Sequence, residues 1–261
     1  MLLITEMRRK RLKSSPFPPA WERFLERRVP LYGRLPEEDR DELKGDIQVF
    51  LAEKSFEGCG GFVMTDEVRL TVAALACLLL LHRETDFYPG LSSIVIYPRE
   101  YLAPQADVDE SGVVTEWIDL LSGESSQVGT VVLSWEDVMA EGLETHETYN
   151  VVIHEFAHQL DAEDGITSGA PLLARRSGTR TLLDALERGF ERLQDELLHG
   201  RATVLDPYGE ESLEEFFAVA SECFFMRPLL LRLWDFALFA ELVRYYRQNP
   251  AEWKDRRDGI G

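Results

Sequence analysis

The run Y-N-V-V-I-H-E-F-A-H-Q-L-D, residues 149–161, constrains this chain more than any other stretch. Val151, Val152, Ile153, Phe156, Ala157 and Leu160 fall on nearly every side of an α-helix, so the helix must be enclosed by protein. Among the polar residues that interrupt that apolar envelope, His154, Glu155 and His158 carry the argument. His154 and His158 are four positions apart, about 1.1 turns, and share one face. Burying such groups is costly unless something binds them. Two imidazoles one turn apart can reach a single metal ion. Glu155, about 100° around the helix, then stands beside that ion as a candidate base for an attacking water. The competing possibility is a helix with two incidental histidines. By composition alone, H-E-x-x-H arises in on the order of one chain in a hundred of this length.

A catalytic zinc ordinarily keeps three protein ligands and one open position. Outside the motif only His82, His146 and His199 remain. His146 lies over two turns from His154 along the same axis, and His82 at the end of an apolar run reads as a helix C-terminal contact. The extended pattern with a third histidine fails, because positions 161 and 164 are Asp161 and Asp164. A carboxylate from another helix is the better candidate. The segment L-D-P-Y-G-E-E-S-L-E-E-F-F-A-V-A-S-E-C-F-F offers Glu215, with Glu222 seven positions beyond on the same face of an apolar helix. A second reading competes: Ser212 and Glu215 match the capping box S-x-x-E, which would place Glu215 at a helix start with no metal. Asp161 and Glu222 are each candidates to hold a ligand histidine through its second ring nitrogen, or simply helix-end and surface acids.

Periodicity predicts helices over residues 21–27, 37–54, 68–82, 181–198, 213–225 and 229–248. Residues 30–36 read as a turn-rich connector, and 136–142 as a connector or short helix. Strands are expected at 91–98, 113–121 and 129–135. Asp107, Asp109 and Glu110 read as a loop that lacks the ligand order of a calcium site. Residues 130–135 are a candidate sheet edge for an extended peptide, or else an inner strand. There is no repeat and no break in composition. The simplest partition is a flexible basic extension (1–20), one domain (21–252) and a short tail (253–261).

The net charge of −19 argues against a nucleic-acid binder and reads first as solubility. Cys59, Cys77 and Cys223 form no C-x-x-C pair and no disulfide framework, which points to a reducing cytoplasm. The longest apolar run, residues 72–81, is too short to span a bilayer, and the basic residues near the start follow the apolar ones rather than precede them. The basic start could touch anionic lipid or nucleic acid but reads first as a frayed terminus, and neither a membrane nor direct nucleic-acid contact is expected.

The blocks S-S-I-V-I-Y-P, V-V-L-S-W-E-D, N-V-V-I-H-E-F-A-H-Q-L-D and D-P-Y…E-E-F-F-A-V-A-S-E-C-F-F resemble, in the same order, the Mlc titration factor A family of bacterial zinc peptidases. That resemblance implies a zincin-like α+β domain, mostly helical, with a small mixed β-sheet packed on the active-site helix and a core similar to that of anthrax lethal factor. It implies one zinc per chain held by His154, His158 and Glu215, Glu155 as general base and Tyr208 as an active-site tyrosine. From its position alone, Tyr208 could equally be a packing residue after the Asp206-Pro207 turn. The resemblance further implies aminopeptidase-type hydrolysis of small substrates and binding of a glucose-responsive repressor in the control of sugar uptake. The alternatives are a zinc-containing protein that only sequesters a transcription regulator, and a different metal hydrolase with the same ligands.

Overall fold

The computed structural model describes residues 2–99, 101–108, 114–121, 123–126, 129–141, 149–162 and 181–253. In chain order the elements begin with helices α1 (Leu2–Lys13), α2 (Pro19–Arg28), α3 (Pro30–Arg34) and α4 (Glu37–Glu53). Strand β1 (Ser55–Gly58), helix α5 (Asp66–Leu78) and strands β2 (Ser93–Tyr97), β3 (Tyr101–Val108), β4 (Val114–Leu121), β5 (Gly123–Ser126) and β6 (Thr130–Ser134) follow. Helices α6 (Trp135–Glu141), α7 (Val151–Asp161), α8 (Thr181–Leu198), α9 (Leu213–Met226), α10 (Pro228–Trp234) and α11 (Phe236–Tyr246) complete the described chain, with short 3-10 turns at Pro207–Glu210 and Pro250–Glu252. Asp109 and Glu110 of the expected loop, the segment holding His146, and the tail beyond Trp253 lie outside the described residues.

The sheet is small and mixed, in the order β1-β2-β6-β5. β1 runs parallel to β2 and β2 parallel to β6, with Ser93 opposite both Ser55 and Thr130. β5 joins antiparallel on β6, pairing Gly123 with Leu133 and Ser126 with Thr130. β6 is therefore an inner strand, and the edge on that side is β5. β3 and β4 form a separate antiparallel pair, so Asp107 lies in a strand rather than in the expected loop.

One apolar core fills the space between sheet and helices. Phe156, on α7, packs its ring 5.8 Å from Phe50 of α4 and 4.9 Å from Tyr88, whose hydroxyl donates to the Ala76 carbonyl of α5 at 2.7 Å. These contacts clamp the back of α7. Helix α9 is buried all round, as its composition demands, and Tyr246 of α11 donates to Ser221 within it at 2.7 Å.

Four expectations need correction, the first being the connector at 30–36, most of which is helix α3. Residues 2–13 form a helix docked on α4 in place of a flexible extension. Arg9 makes a two-pronged bond to Glu53 at 2.9 Å on each side, and Lys13 reaches the buried Asp46 at 2.5 Å. Helix α5 stops at Leu78, four residues early. His82 has a left-handed backbone (φ 62°), and its ring bridges Asp39 and Glu42 on α4 rather than sitting at a helix end. The long helix expected at 229–248 is two helices, because Asp235 leaves helical geometry and its side chain accepts the Leu238 N–H at 2.9 Å. Pro228 opens the first of them instead of closing a segment. Asp235→Ala is expected to lower stability by about 1 kcal/mol, read as a smaller urea midpoint with unchanged slope. An unchanged midpoint would mean that the cap is not what divides the two helices.

Candidate metal centre

Two helix starts set up the site. Asn150 caps α7, its side-chain oxygen accepting the Ile153 N–H at 3.0 Å. Ser212 caps α9 in the same way, accepting the Glu215 N–H at 3.1 Å. The two helices pack side by side. Only half of the anticipated capping box forms: the Ser212 hydroxyl caps, while the Glu215 carboxylate turns to the histidines of α7.

There the donor atoms converge. Glu215 Oε2 lies 3.0 Å from His154 Nε2 and 3.3 Å from His158 Nε2, and the two Nε2 atoms are 3.1 Å apart. Among the described residues these three are the cluster able to hold a metal ion. Zinc bound tetrahedrally to nitrogen and oxygen at about 2.0–2.1 Å spaces its ligand atoms about 3.3–3.4 Å apart. The observed triangle is slightly tighter than that and of the right shape.

The proton inventory points the same way. Glu222 Oε1 sits 2.7 Å from His154 Nδ1, and its other oxygen accepts the Asn150 backbone N–H at 2.5 Å. An Nδ1–H donated to Glu222 leaves the neutral imidazole with a bare lone pair on Nε2. That lone pair faces a carboxylate oxygen and a second imidazole nitrogen, an arrangement a cation would satisfy. The seven-residue spacing of Glu215 and Glu222, about 10 Å along the helix, lets their carboxylates grip His154 from both ring nitrogens.

Glu155 is buried beside this triangle, and its Oε2 has no hydrogen-bond partner among the described residues. Burial pushes its carboxyl up to about 7, against the pull of His154 and His158. A buried carboxylate with a vacant acceptor is unfavourable in a purely structural role. Tyr208, in the turn just before α9, is half-exposed and sets its ring 6.0 Å from that of His154. Asp206 shapes this turn by accepting the Tyr208 N–H at 2.9 Å. Asp161 is buried at the end of α7.

Sequence reasoning brings together His154, Glu155, His158, Glu215, Glu222 and Tyr208. It passes over Asn150, which both starts α7 and steadies Glu222; an Asn directly before an apolar helix was the available signal. It also passes over Tyr149, whose ring lies 5.8 Å from that of His154.

Comparison with known proteins shows which family the chain resembles. The model of a family described as glucose-regulated metallo-peptidase M90 matches residues 4–247. An uncharacterized protein of Synechocystis, slr2042, is 37% identical over 94% of this chain and 90% of its own length. Proteins named Mlc titration factor A are 31% identical: that of Cronobacter sakazakii over 89% of this chain and 87% of its own length, that of Klebsiella pneumoniae over 92% and 89%.

Proposed function

Because the chain belongs to the family of glucose-regulated M90 metallo-peptidases, we propose that it hydrolyses peptide bonds with one zinc ion held by His154, His158 and Glu215. The observation that carries this reading is the meeting of three lone-pair donors beside a buried carboxylate whose Oε2 has no hydrogen-bond partner among the described residues. Zinc in that position would supply Lewis acidity, polarising the scissile carbonyl and lowering the pKa of a water at the open position toward about 7. Glu155 takes the proton of the attacking water and returns it to the leaving amine. Tyr208 donates a hydrogen bond to the developing oxyanion; one such donor is typically worth about 2.7–4 kcal/mol. Glu222 fixes the tautomer and orientation of His154, a positioning role. Asp161 is a weaker candidate for a similar role, supported by its burial near His158.

The substrate is proposed to be a small peptide cleaved from its amino end. The inner position of β6 moves the candidate peptide-binding edge to β5, the antiparallel strand beside α7. By analogy with relatives whose printed name is Mlc titration factor A, binding of an Mlc-type repressor and a regulatory part in sugar uptake are proposed as well. A cytoplasmic setting agrees with three unpaired cysteines, two of them buried. No described helix is long and apolar enough to cross a membrane.

The test is hydrolysis of aminoacyl chromogenic substrates, free and N-acetylated, by zinc-loaded protein and by the same protein with a chelator. Cleavage of the free form alone, stopped by the chelator, is the expected result. A zinc-loaded protein that cleaves neither form yet retains a repressor in a pull-down would favour the sequestering protein instead. Glu222→Gln is expected to weaken zinc binding roughly 10–100-fold in competition with a chelating dye while the protein stays folded. Unchanged affinity would remove Glu222 from the site.

A further inference from the structure

Helix α1 holds five of the chain's 28 lysines and arginines in twelve residues, within a protein whose net charge is −19. Three of the five serve the fold, the first being Arg8, which donates to the Ala52 carbonyl of α4 at 3.2 Å. Arg9 binds Glu53 and Asp86 and lies over the Phe87 ring, and Lys13 pairs with Asp46. Arg9 and Leu12, with Thr5, form the partly covered side of the helix. The opposite side carries Ile4, Met7, Lys10 and Arg11, at i, i+3, i+6 and i+7. Ile4 and Met7 are 74% and 72% exposed, among the most exposed large apolar residues described. Lys10 and Arg11 are exposed and have no acidic partner among the described residues.

We propose that this outward face of α1 docks on an anionic phospholipid surface, with Ile4 and Met7 entering the headgroup boundary and Lys10 and Arg11 meeting lipid phosphates. A short helix with apolar and basic residues on one exposed side suits that interface. Charge complementarity names the occupant, since Lys10 and Arg11 stand beside Ile4 and Met7 on one exposed side of a helix in an otherwise acidic chain. The apolar pair favours a bilayer over nucleic acid, whose backbone offers Ile4 and Met7 nothing to enter. Ion pairs to α4 hold the helix in place, so its face is presented without prior folding.

The test is sedimentation of the full chain with vesicles of phosphatidylglycerol mixed into phosphatidylcholine, and with phosphatidylcholine alone. Partition onto the anionic vesicles only, weakening as salt rises, is expected. Replacing Lys10 and Arg11 together by Ala should reduce partition roughly thirtyfold. Ile4→Ser with Met7→Ser should reduce it further, at unchanged peptidase activity and melting temperature. No partition onto the anionic vesicles, or partition that neither pair of substitutions alters, would overturn the proposal. So would equally tight retention of duplex DNA that the Lys10 and Arg11 substitutions abolish, which would reassign the face to nucleic acid.

Discussion

Glu155→Gln is expected to lower turnover by on the order of 10³-fold while zinc content and fold are kept. The substitution preserves the shape of the side chain and removes only its ability to accept and return a proton. Nothing else should break, because Glu155 Oε2 has no hydrogen-bond partner among the described residues. A buried carboxylate, held up at about 7 by desolvation, is an unfavourable group to keep in a protein interior. The melting temperature of the variant should therefore hold or rise, the usual relation between an active site and stability. Steady-state kinetics beside a thermal melt decides this. Full activity in Glu155→Gln would remove the general-base assignment; lost activity together with a large fall in melting temperature would make Glu155 a structural residue.

Glu215→Ala is expected to have the second large effect, on the metal itself. Loss of one of three ligand groups should weaken zinc binding by more than the roughly 10–100-fold expected for an outer partner such as Glu222. Activity at fixed zinc should fall with it. Folding should suffer little in the zinc-free protein, because Ser212 still caps α9 and only a favourable charge at a helix start is lost, worth about 0.3–1 kcal/mol. The alternative role gives the opposite pattern. If Glu215 only completed a helix cap, the variant would lose about 1 kcal/mol of stability and keep its zinc. Equilibrium dialysis and urea unfolding on one preparation separate the two.

The centre was readable because its residues carry a cost. His154, Glu155 and His158 sit in a helix that is apolar elsewhere, and Glu215 and Glu222 open and interrupt another; such groups require partners, and spacing limits which ones. That Glu222 takes His154 rather than His158, opposite Glu215, was not readable, since it depends on how α7 and α9 cross. Short strands β1 and β5, S-F-E-G and G-E-S-S, show no alternation and owe their form to the neighbours they pair with. Helix α1 turns its apolar pair Ile4 and Met7 to solvent and docks through Arg9 and Lys13, so no inward apolar stripe announces it. Its partners Glu53 and Asp86 lie 44 and 77 residues away, so a local reading sees only a basic run.

The account depends on a divalent ion between α7 and α9, and X-ray absorption at the zinc edge, with metal analysis of the same sample, addresses that most directly. It predicts close to one zinc per chain, bound by nitrogen and oxygen at about 2.0–2.1 Å with the scattering pattern of two imidazoles, and a clear loss of zinc in Glu215→Ala. Purified protein that hydrolyses peptides without a metal, or zinc bound through sulfur, would contradict it.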